Sequence, residues 1–273
     1  MIQYYREFVK WGGDKMLVPE KFKVIGALNE RATVLTALDT ASGEQRVLKY
    51  LDPEYLPLYK KLLEIKPHKN LETIFELAVY DEYFIAVCGF IDGKTLRELL
   101  DEGRVFGLGE IKSIVMQLCD AVELLSNNQL VHRDINPNNI MIDEKNSVKL
   151  IDFNIARQIK GTSTRDTEIL GTRDYTAPEQ YGFLETRCSA DVFSIGKVMK
   201  TLLETNEDTA NSYFGQSIVE YATRFDPATR CLPLQMKYMV KFLVPNMPMN
   251  PWNILRYCGF KDLGDKFEDF WKN

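Results

Sequence analysis

The sequence has few of the residues from which disulfide frameworks and zinc sites are built. Of its 273 residues, five are Cys and two are His. The cysteines are widely scattered and odd in number, which argues against a disulfide framework and predicts a reducing, cytoplasmic location. With two histidines and no paired cysteine spacing, a zinc site is not expected.

The sequence also has no excess of basic residues and no long hydrophobic run. The chain has 34 Lys and Arg against 39 Asp and Glu, a net charge of −5, which argues against nucleic acid as a partner because neutralising phosphates needs clustered positive charge. No stretch reaches the roughly 18 apolar residues of a membrane-spanning helix. Residues 1–11 carry charges among their aromatics, so neither a signal peptide nor membrane insertion is expected. Nothing in the sequence indicates an oligomeric state.

The most informative stretch contains a short polar turn between two apolar runs. The runs at 140–142 and 148–151, separated by residues 143–147, predict a β-hairpin. Asn139 directly precedes the first run and Asp152 directly follows the second, so both lie at the open end of the hairpin and should be neighbours. Their oxygen atoms suit Mg²⁺, which takes few protein ligands and completes its shell with water and phosphates.

A second carboxylate precedes this hairpin. Asp134 stands five residues before Asn139, in a loop that Pro137 keeps out of helix. It can therefore face the same metal site and accept or orient a hydroxyl proton.

These residues carry a family resemblance. His132-Arg133-Asp134, Asn139 and Asp152-Phe153 resemble the catalytic loop and the metal-binding motif of the protein kinases. Further motifs follow in the order and spacing that this family requires: Gly171-Thr172, Ala177-Pro178-Glu179, Asp191 to Gly196, Asp226-Pro227 and Arg230. The resemblance covers roughly residues 20–243, and residues 171–182 resemble the eukaryotic-like Ser/Thr kinases of Gram-positive bacteria, which suggests a bacterial source.

The resemblance implies an α+β, bilobal protein kinase fold. Its small lobe would hold a five-stranded antiparallel sheet and one helix, and its large lobe would be mainly α. We expect the small lobe with an N-terminal extension at residues 1–88, a hinge at 89–92, the large lobe at 93–243, and a C-terminal extension at 244–273 packed on the large lobe.

The resemblance also implies a reaction and its participants. We expect an ATP-dependent Ser/Thr protein kinase that uses Mg²⁺ or Mn²⁺, acts on the hydroxyl groups of a protein substrate and autophosphorylates its activation loop. The implied catalytic residues are Asp134, Lys49 and Asn136. The implied nucleotide-binding residues are Gly26, Lys49, Gly89, Phe90, Ile91, Asn139 and Asp152, and the implied metal ligands are Asn139 and Asp152.

Several positions depart from the family pattern. Gly26 is the one glycine left in the phosphate loop, and Ala32 brings a Cβ to the place of a later glycine, which predicts a poorer nucleotide affinity. Asn136 stands where Ser/Thr kinases usually place a lysine against the γ-phosphate. Asn154 replaces the glycine that follows Asp152-Phe153.

The glutamate that should pair with Lys49 is also displaced. Aligning the segment after the small-lobe helix puts Tyr59 where the family has that glutamate. Glu54 and Glu64 are the candidate substitutes, with Glu64 slightly favoured.

The hydrophobic patterns predict the surrounding elements. Five strands are expected at 22–28, 32–39, 45–51, 77–80 and 83–87, and helices at 57–66, from Thr95 to 102, from 109 or 110 to 127 and at 190–203. Residues 1–20 are expected to form a short aromatic helix and a linker, packed on the small lobe.

Two other functional classes compete with an active protein kinase. The departures favour a pseudokinase that acts as a nucleotide-binding scaffold, whereas the presence of Lys49, Asp134, Asn139 and Asp152 favours an enzyme. A small-molecule kinase of the same fold is the third candidate, and the segment at 171–179 favours protein substrates over it.

The resemblance also points to regulation by phosphorylation. Residues 157–170 form a polar segment rich in hydroxyl groups. Arg133, next to the implied catalytic aspartate, would bind a phosphate on this segment, and Thr164 and Thr167 are the expected carriers.

Overall fold

A computed structural model describes residues 5–11, 14–158, 172, 174–181 and 186–243, with side chains from Leu17 onward. The chain divides into two compact units, residues 1–92 and 93–273.

The first unit contains a five-stranded antiparallel sheet and one α-helix. After an N-terminal pair, β1 (Tyr5–Trp11) and β2 (Asp14–Pro19), the elements are β3 (Phe22–Ala27), β4 (Val34–Asp39), β5 (Gln45–Leu51), α1 (Leu56–Glu64), β6 (Ile74–Val79) and β7 (Phe84–Gly89). The strand order in the main sheet is β3-β4-β5-β7-β6. The predicted sheet is therefore confirmed, and its last two strands begin or end a few residues away from the predicted bounds.

Alternating residues of this sheet form a core. Leu35 and Ala37 in β4, Leu48 and Tyr50 in β5, and Ile85 and Val87 in β7 are all buried in one cluster. A period of two places such residues on a single face of the sheet.

The N-terminal segment forms a β-hairpin, and the helix expected there was a wrong prediction. Strands β1 and β2 pair antiparallel, with Trp11 opposite Asp14. Two runs joined by a glycine dipeptide are typical of a hairpin. Strand β2 is attached to the main sheet: the Leu17 amide donates to the Tyr83 hydroxyl at 3.0 Å, and Val18 belongs to the core cluster.

The second unit is mainly helical, as expected. Its helices are α2 (Leu96–Asp101), α3 (Leu108–Asn127), α4 (Cys188–Leu203), α5 (Glu207–Ala210), α6 (Tyr213–Ala222) and α7 (Pro233–Lys241). Thr95 caps α2 as predicted, because its hydroxyl accepts from the Glu98 amide at 3.1 Å. The predicted apolar stripe of α3 is buried, from Ile111 to Leu125, and it packs against α4 and α7.

Short strands complete the second unit and support its loops. They are β8 (Gly93–Thr95), β9 (Leu130–Val131), β10 (Ile140–Asp143), β11 (Val148–Leu150) and β12 (Arg157–Gln158). Strand β10 pairs with both β8 and β11. Gly93 is required there, since a Cβ would lie 2.5 Å from the carbonyl oxygen of Ile142.

Within the described ranges, no helix has both the length and the apolar character needed to cross a membrane. The expected packing of residues 244–273 lies outside the described part of the chain.

Candidate active site

The predicted hairpin is present and brings the two expected metal ligands to its open end. Strands β10 and β11 pair antiparallel, with Ile140 opposite Leu150. One step beyond this pair, the Ile151 amide donates to the Asn139 carbonyl oxygen at 2.9 Å. Asp152 follows directly, so the backbone ladder places Asn139 and Asp152 at the same end, as the sequence predicts.

Asp134 is held by hydrogen bonds to both carboxylate oxygens. Its Oδ1 accepts from the amide and the hydroxyl of Thr172, at 3.1 and 3.0 Å. Its Oδ2 accepts from Nδ2 of Asn139 at 2.8 Å. These bonds fix the orientation of the Asp134 carboxylate, a group whose chemistry allows it to accept a hydroxyl proton.

The oxygen donors at this end of the hairpin fit a magnesium ion. Nδ2 of Asn139 donates to Asp134, so Oδ1 is the atom of that amide that could bind a metal ion. The Asp152 carboxylate lies on a backbone with φ of 65°, a conformation that a non-glycine residue adopts at a cost and that is concentrated at functional sites. Among the described residues, no group of three or more His, Cys, Asp or Glu could hold a metal, but Mg²⁺ needs only one or two carboxylates beside substrate phosphates.

A buried aspartate in α4 binds the backbone of the loop that carries Asp134. Asp191 accepts from the backbone amides of His132 and Arg133 at 2.9 and 2.8 Å. Burial raises the pKa of Asp191 to about 7, against the opposing effect of these two hydrogen bonds. The two hydrogen bonds hold the backbone at Arg133, which has a φ of 70°, so the loop conformation depends on a carboxyl group buried inside the unit.

The segment after Thr172 is attached to the same loop. Nε2 of Gln180 donates to the carbonyl oxygen of Arg133 at 2.7 Å. The neighbouring Glu179 forms two parallel bonds with Arg230, at 2.6 and 2.8 Å, and both side chains are at most 1% exposed. The paired guanidinium and carboxylate therefore fix this segment to the body of the second unit.

Asn136 is buried within the catalytic loop. Its Oδ1 accepts from the Asn138 amide at 2.9 Å, and its Nδ2 donates to the Asp134 carbonyl oxygen at 3.2 Å. Both ends of the amide therefore help to close the loop. A contact between Asn136 and a γ-phosphate stays a prediction.

In the first unit, Lys49 pairs with a glutamate that the sequence analysis did not select. Its Nζ lies 2.7 Å from Oε2 of Glu72, and the two side chains are 9% and 3% exposed. Glu54 and Glu64 are exposed, so neither of the two proposed substitutes occupies this position. Tyr59 is fully buried and packs edge-on against Phe84, with 5.4 Å between ring centroids.

The loop between β3 and β4 is closed on itself by Asn29. Oδ1 of Asn29 accepts from the amides of Thr33 and Val34 at 2.9 and 3.2 Å. Nδ2 of the same side chain donates to the Thr33 hydroxyl at 2.7 Å. Ala32 takes the left-handed conformation, with φ of 53°. The amides of Thr33 and Val34, at the start of β4, are thus bound within the loop itself.

The remaining predicted nucleotide-binding residues lie on β3 and around the end of β7. Gly26 is part of β3, beside an irregularity in the pairing with β4. Gly89 ends β7 and donates its amide to the Thr73 carbonyl oxygen at 2.9 Å. Phe90 and Ile91 follow it, and Phe90 is 40% exposed. A contact of Gly89, Phe90 and Ile91 with a nucleotide stays a prediction.

Comparison with known proteins identifies the class to which this arrangement belongs. Residues 30–230 match the family model of the protein kinase domain. The chain is 35% identical to the serine/threonine-protein kinase PrkC of Bacillus subtilis over 138 residues, which are 50% of this chain and 21% of PrkC. It is 24% identical to a probable serine/threonine-protein kinase of Clostridium acetobutylicum over 256 residues, 89% of this chain and 38% of that protein. A probable serine/threonine-protein kinase of Streptomyces coelicolor is 32% identical over 190 residues, which are 63% of this chain and 28% of that protein.

The chain belongs to the protein kinase family. The family model covers both the Lys49–Glu72 pair and the Asp134 loop. The matched regions amount to between about a fifth and two fifths of the length of the relatives named above.

Proposed function

We propose that the chain is an ATP-dependent Ser/Thr protein kinase. The observation that carries the proposal is the state of Asp134, whose two oxygens accept from Thr172 and Asn139 within a closed loop. A binding scaffold does not need a carboxylate oriented in this way, whereas transfer of a phosphoryl group to a hydroxyl does. The family and the named Ser/Thr kinases among its relatives support the same conclusion.

Each polar group has a separate task in this reaction. Lys49 would neutralise the α- and β-phosphates of ATP, and Asp134 would orient the attacking hydroxyl. Asn139 and Asp152 would hold Mg²⁺ or Mn²⁺, which supplies neutralising charge on the phosphates when bound. The protein contributes placement and charge stabilisation more than covalent chemistry.

The segment around Glu179 supports a protein substrate over a small molecule. The Glu179–Arg230 pair is buried and bidentate, and the Gln180 amide attaches the segment to the catalytic loop. The segment around Glu179 is therefore fixed to the second unit, and it suits the docking of a polypeptide beside Asp134.

The competing proposal is a pseudokinase scaffold. It is favoured by one specific observation, the Asn29-closed loop that binds its own amides. Such a protein would bind nucleotide weakly and transfer no phosphate.

Incubation of purified protein with γ-labelled ATP, Mg²⁺ or Mn²⁺ and a generic protein substrate separates the two proposals. We expect labelled phosphoserine or phosphothreonine in the substrate, and none with Asp134→Asn. The matched control is Asp101→Asn, which changes an exposed aspartate on α2. Absence of label from the unaltered protein under both metals would support the scaffold.

We further propose that the kinase phosphorylates its own loop at Thr164 or Thr167. Both threonines lie outside the described residues, so support comes from the positive charges of Arg133, next to Asp134 in the chain, and Arg157. Burial and the charge of Arg157 lower the pKa of Arg133, so two guanidinium groups share one region that an anion would stabilise. A phosphate brings about −1.5 to −2 charge and three acceptor oxygens to such a pair.

Mass spectrometry after incubation with ATP tests this step. We expect phosphate on Thr164 or Thr167 and a strong loss of activity in the double variant Thr164→Ala with Thr167→Ala, with Ser163→Ala as the matched control. Full activity of the double variant, with no phosphate between residues 162 and 167, would refute it.

We place this activity in the cytoplasm. Cys119, Cys188 and Cys231 carry free thiols, which is the usual state of cysteines in a reducing compartment.

A further inference from the structure

The buried ion pair of the first unit connects two parts of the main sheet. Lys49 lies in β5, opposite Ala86 of β7. Glu72 lies just before β6, on the other side of β7 in the strand order. Two strand spacings, about 10 Å in all, separate these backbones, and the long side chains of Lys and Glu span them to meet at 2.7 Å.

The residues of β7 that lie between Lys49 and Glu72 leave room for this ion pair. Paired residues in an antiparallel sheet point to the same face, so Ala86 shares the face of Lys49. Cys88, two residues along β7, shares it as well. Both have small side chains and are fully buried, so the ammonium and carboxylate meet in a place that water does not enter freely.

The backbone around Glu72 is fixed by the sheet. The Leu71 amide donates to the His68 carbonyl oxygen at 3.2 Å, and the Thr73 carbonyl oxygen accepts from the Gly89 amide at 2.9 Å. One residue later, Ile74 pairs with Cys88. Glu72 therefore lies in a segment that leads directly into β6 and is joined to β7, outside helix α1.

Helix α1 offers no comparable group. Glu64 ends the helix and Glu54 lies in the short turn before it, and both are exposed. The buried side chains of the helix are Tyr59 and Leu62, neither of which is charged. In the family pattern the partner of the lysine is on this helix, and movement of the helix controls whether the pair forms.

We infer that Glu72 is the positioning residue that holds Lys49 for the nucleotide phosphates, and that the sheet fixes this pair without a charged group from helix α1. The inference rests on the proposed kinase function and names the residue that serves one of its steps. Activity should consequently depend on Glu72 and tolerate the loss of every acidic side chain on or beside the helix.

Steady-state kinetics of matched glutamate variants test the inference. Glu72→Gln keeps the size of the side chain and removes its charge, so we expect kcat/KM for ATP to fall about 100-fold, as when one preorganised charge contact is lost. Glu72→Asp should recover part of the rate. Glu64→Gln and Glu54→Gln should stay within about twofold of the unaltered protein, as exposed substitutions do.

Acylation of Lys49 by an amine-reactive reagent at neutral pH gives a second readout that does not require turnover. A buried ammonium without its carboxylate loses its proton more readily, so Glu72→Gln should raise the acylation rate at Lys49 severalfold while thermal melting confirms a folded protein. In a Lys49→Met background, Glu72→Gln should cause little further loss of kcat/KM, because the two residues act as one unit.

The outcomes separate the inference from the proposed function. A lower rate and a more reactive amine in Glu72→Gln, with normal Glu64→Gln, support the inference. Unchanged rate and unchanged acylation in Glu72→Gln overturn it. If the unaltered protein transfers no phosphate while the acylation of Lys49 still responds to Glu72, the kinase proposal fails and the pairing stands.

Discussion

The loop around Asp134 in the second unit and the main sheet of the first unit preserve the family pattern to different degrees. In the loop, Asp134, Asn139 and Thr172 occupy the expected positions and bond to one another. In the sheet, Lys49 is present but pairs with the carboxylate of Glu72. In the loop after β3, the Thr33 amide donates to the Asn29 side chain.

The difference follows from what each region must hold. The catalytic loop fixes the direction of a carboxylate, which requires several hydrogen bonds at once, so few residue types can be exchanged. The sheet fixes the position of an ammonium group, which is a point charge with rotatable donors. A carboxylate from any backbone within reach can do this, and here it comes from Glu72, outside helix α1.

The largest effect should come from the metal site of the second unit. Asp152→Asn removes one charged oxygen ligand, so phosphoryl transfer should fall by at least about 10²-fold to 10³-fold, and Mg²⁺-dependent nucleotide binding should be lost. Because Asp152 already accepts the Asn154 amide only weakly, at 3.3 Å, the fold should survive.

Calorimetric titration with nucleotide, with and without Mg²⁺, measures this loss, and circular dichroism checks the fold. Phosphoryl transfer at the original rate in Asp152→Asn would exclude a kinase site at this end of the hairpin.

A comparable effect, on stability, is expected from the buried ion pair of the second unit. Arg230→Met leaves the Glu179 carboxylate buried without its guanidinium, which should lower the free energy of unfolding by about 3–5 kcal/mol. Urea denaturation followed by fluorescence measures the change.

An exposed ion pair of the first unit provides the contrast. Lys21 and Glu76 lie 2.6 Å apart, with side chains 37% and 40% exposed. Lys21→Met should cost at most about 1 kcal/mol, and an equal cost at both sites would mean that burial does not set the importance of the Glu179 pair.

A pH-dependent effect on stability is expected from Asp191. Its pKa in the fold is about 7, above the ordinary value of 3.8, so the folded chain binds this proton more tightly than the unfolded chain. The contribution to stability is complete below the ordinary pKa and is lost as the pH rises through 7, by up to about 1.4 kcal/mol per pH unit between the two values.

Urea denaturation at pH 5, 6, 7 and 8 measures this slope. Asp191→Asn should have lower stability, because one backbone amide loses its acceptor, and should also show a flatter dependence on pH. A variant with the original slope would assign the dependence to other groups.

The sequence predicts those features that depend on local periodicity. Asn139 and Asp152 are neighbours because a hairpin brings its two ends together, and the residues of α3 are buried because they recur on one helical face. The same reasoning failed for residues 1–20, where charged aromatic runs around Gly12-Gly13 were assigned to a helix and a linker although a glycine dipeptide also connects strands.

Glu72 could not be found in this way, because its role depends on contacts across the sheet. It is 23 residues from Lys49 and reaches it across β7, next to an irregular register between β6 and β7. Glu72 stands five residues before the predicted strand at 77–80, in a segment that the hydrophobic pattern assigns to no element, so the sequence does not distinguish it from a solvated turn residue.

The smallest effect should come from the loop between β3 and β4, where Ala32 has φ of 53°. A Cβ in this conformation costs roughly 1–2 kcal/mol, whereas the extra freedom of glycine in the unfolded chain costs about 0.5–1 kcal/mol. Ala32→Gly should therefore stabilise the protein by about 1 kcal/mol, measured by urea denaturation. Its nucleotide affinity should stay unchanged, because Asn29 still binds the amides of Thr33 and Val34.

Asn29→Gly is the matched change that releases those amides. Fluorescence titration with ATP and Mg²⁺ should show tighter binding for Asn29→Gly with Ala32→Gly than for Ala32→Gly alone, since backbone amides then become available to the phosphates. If Ala32→Gly alone bound ATP more tightly, the Cβ of Ala32, and not the Asn29 side chain, would limit the phosphate contact.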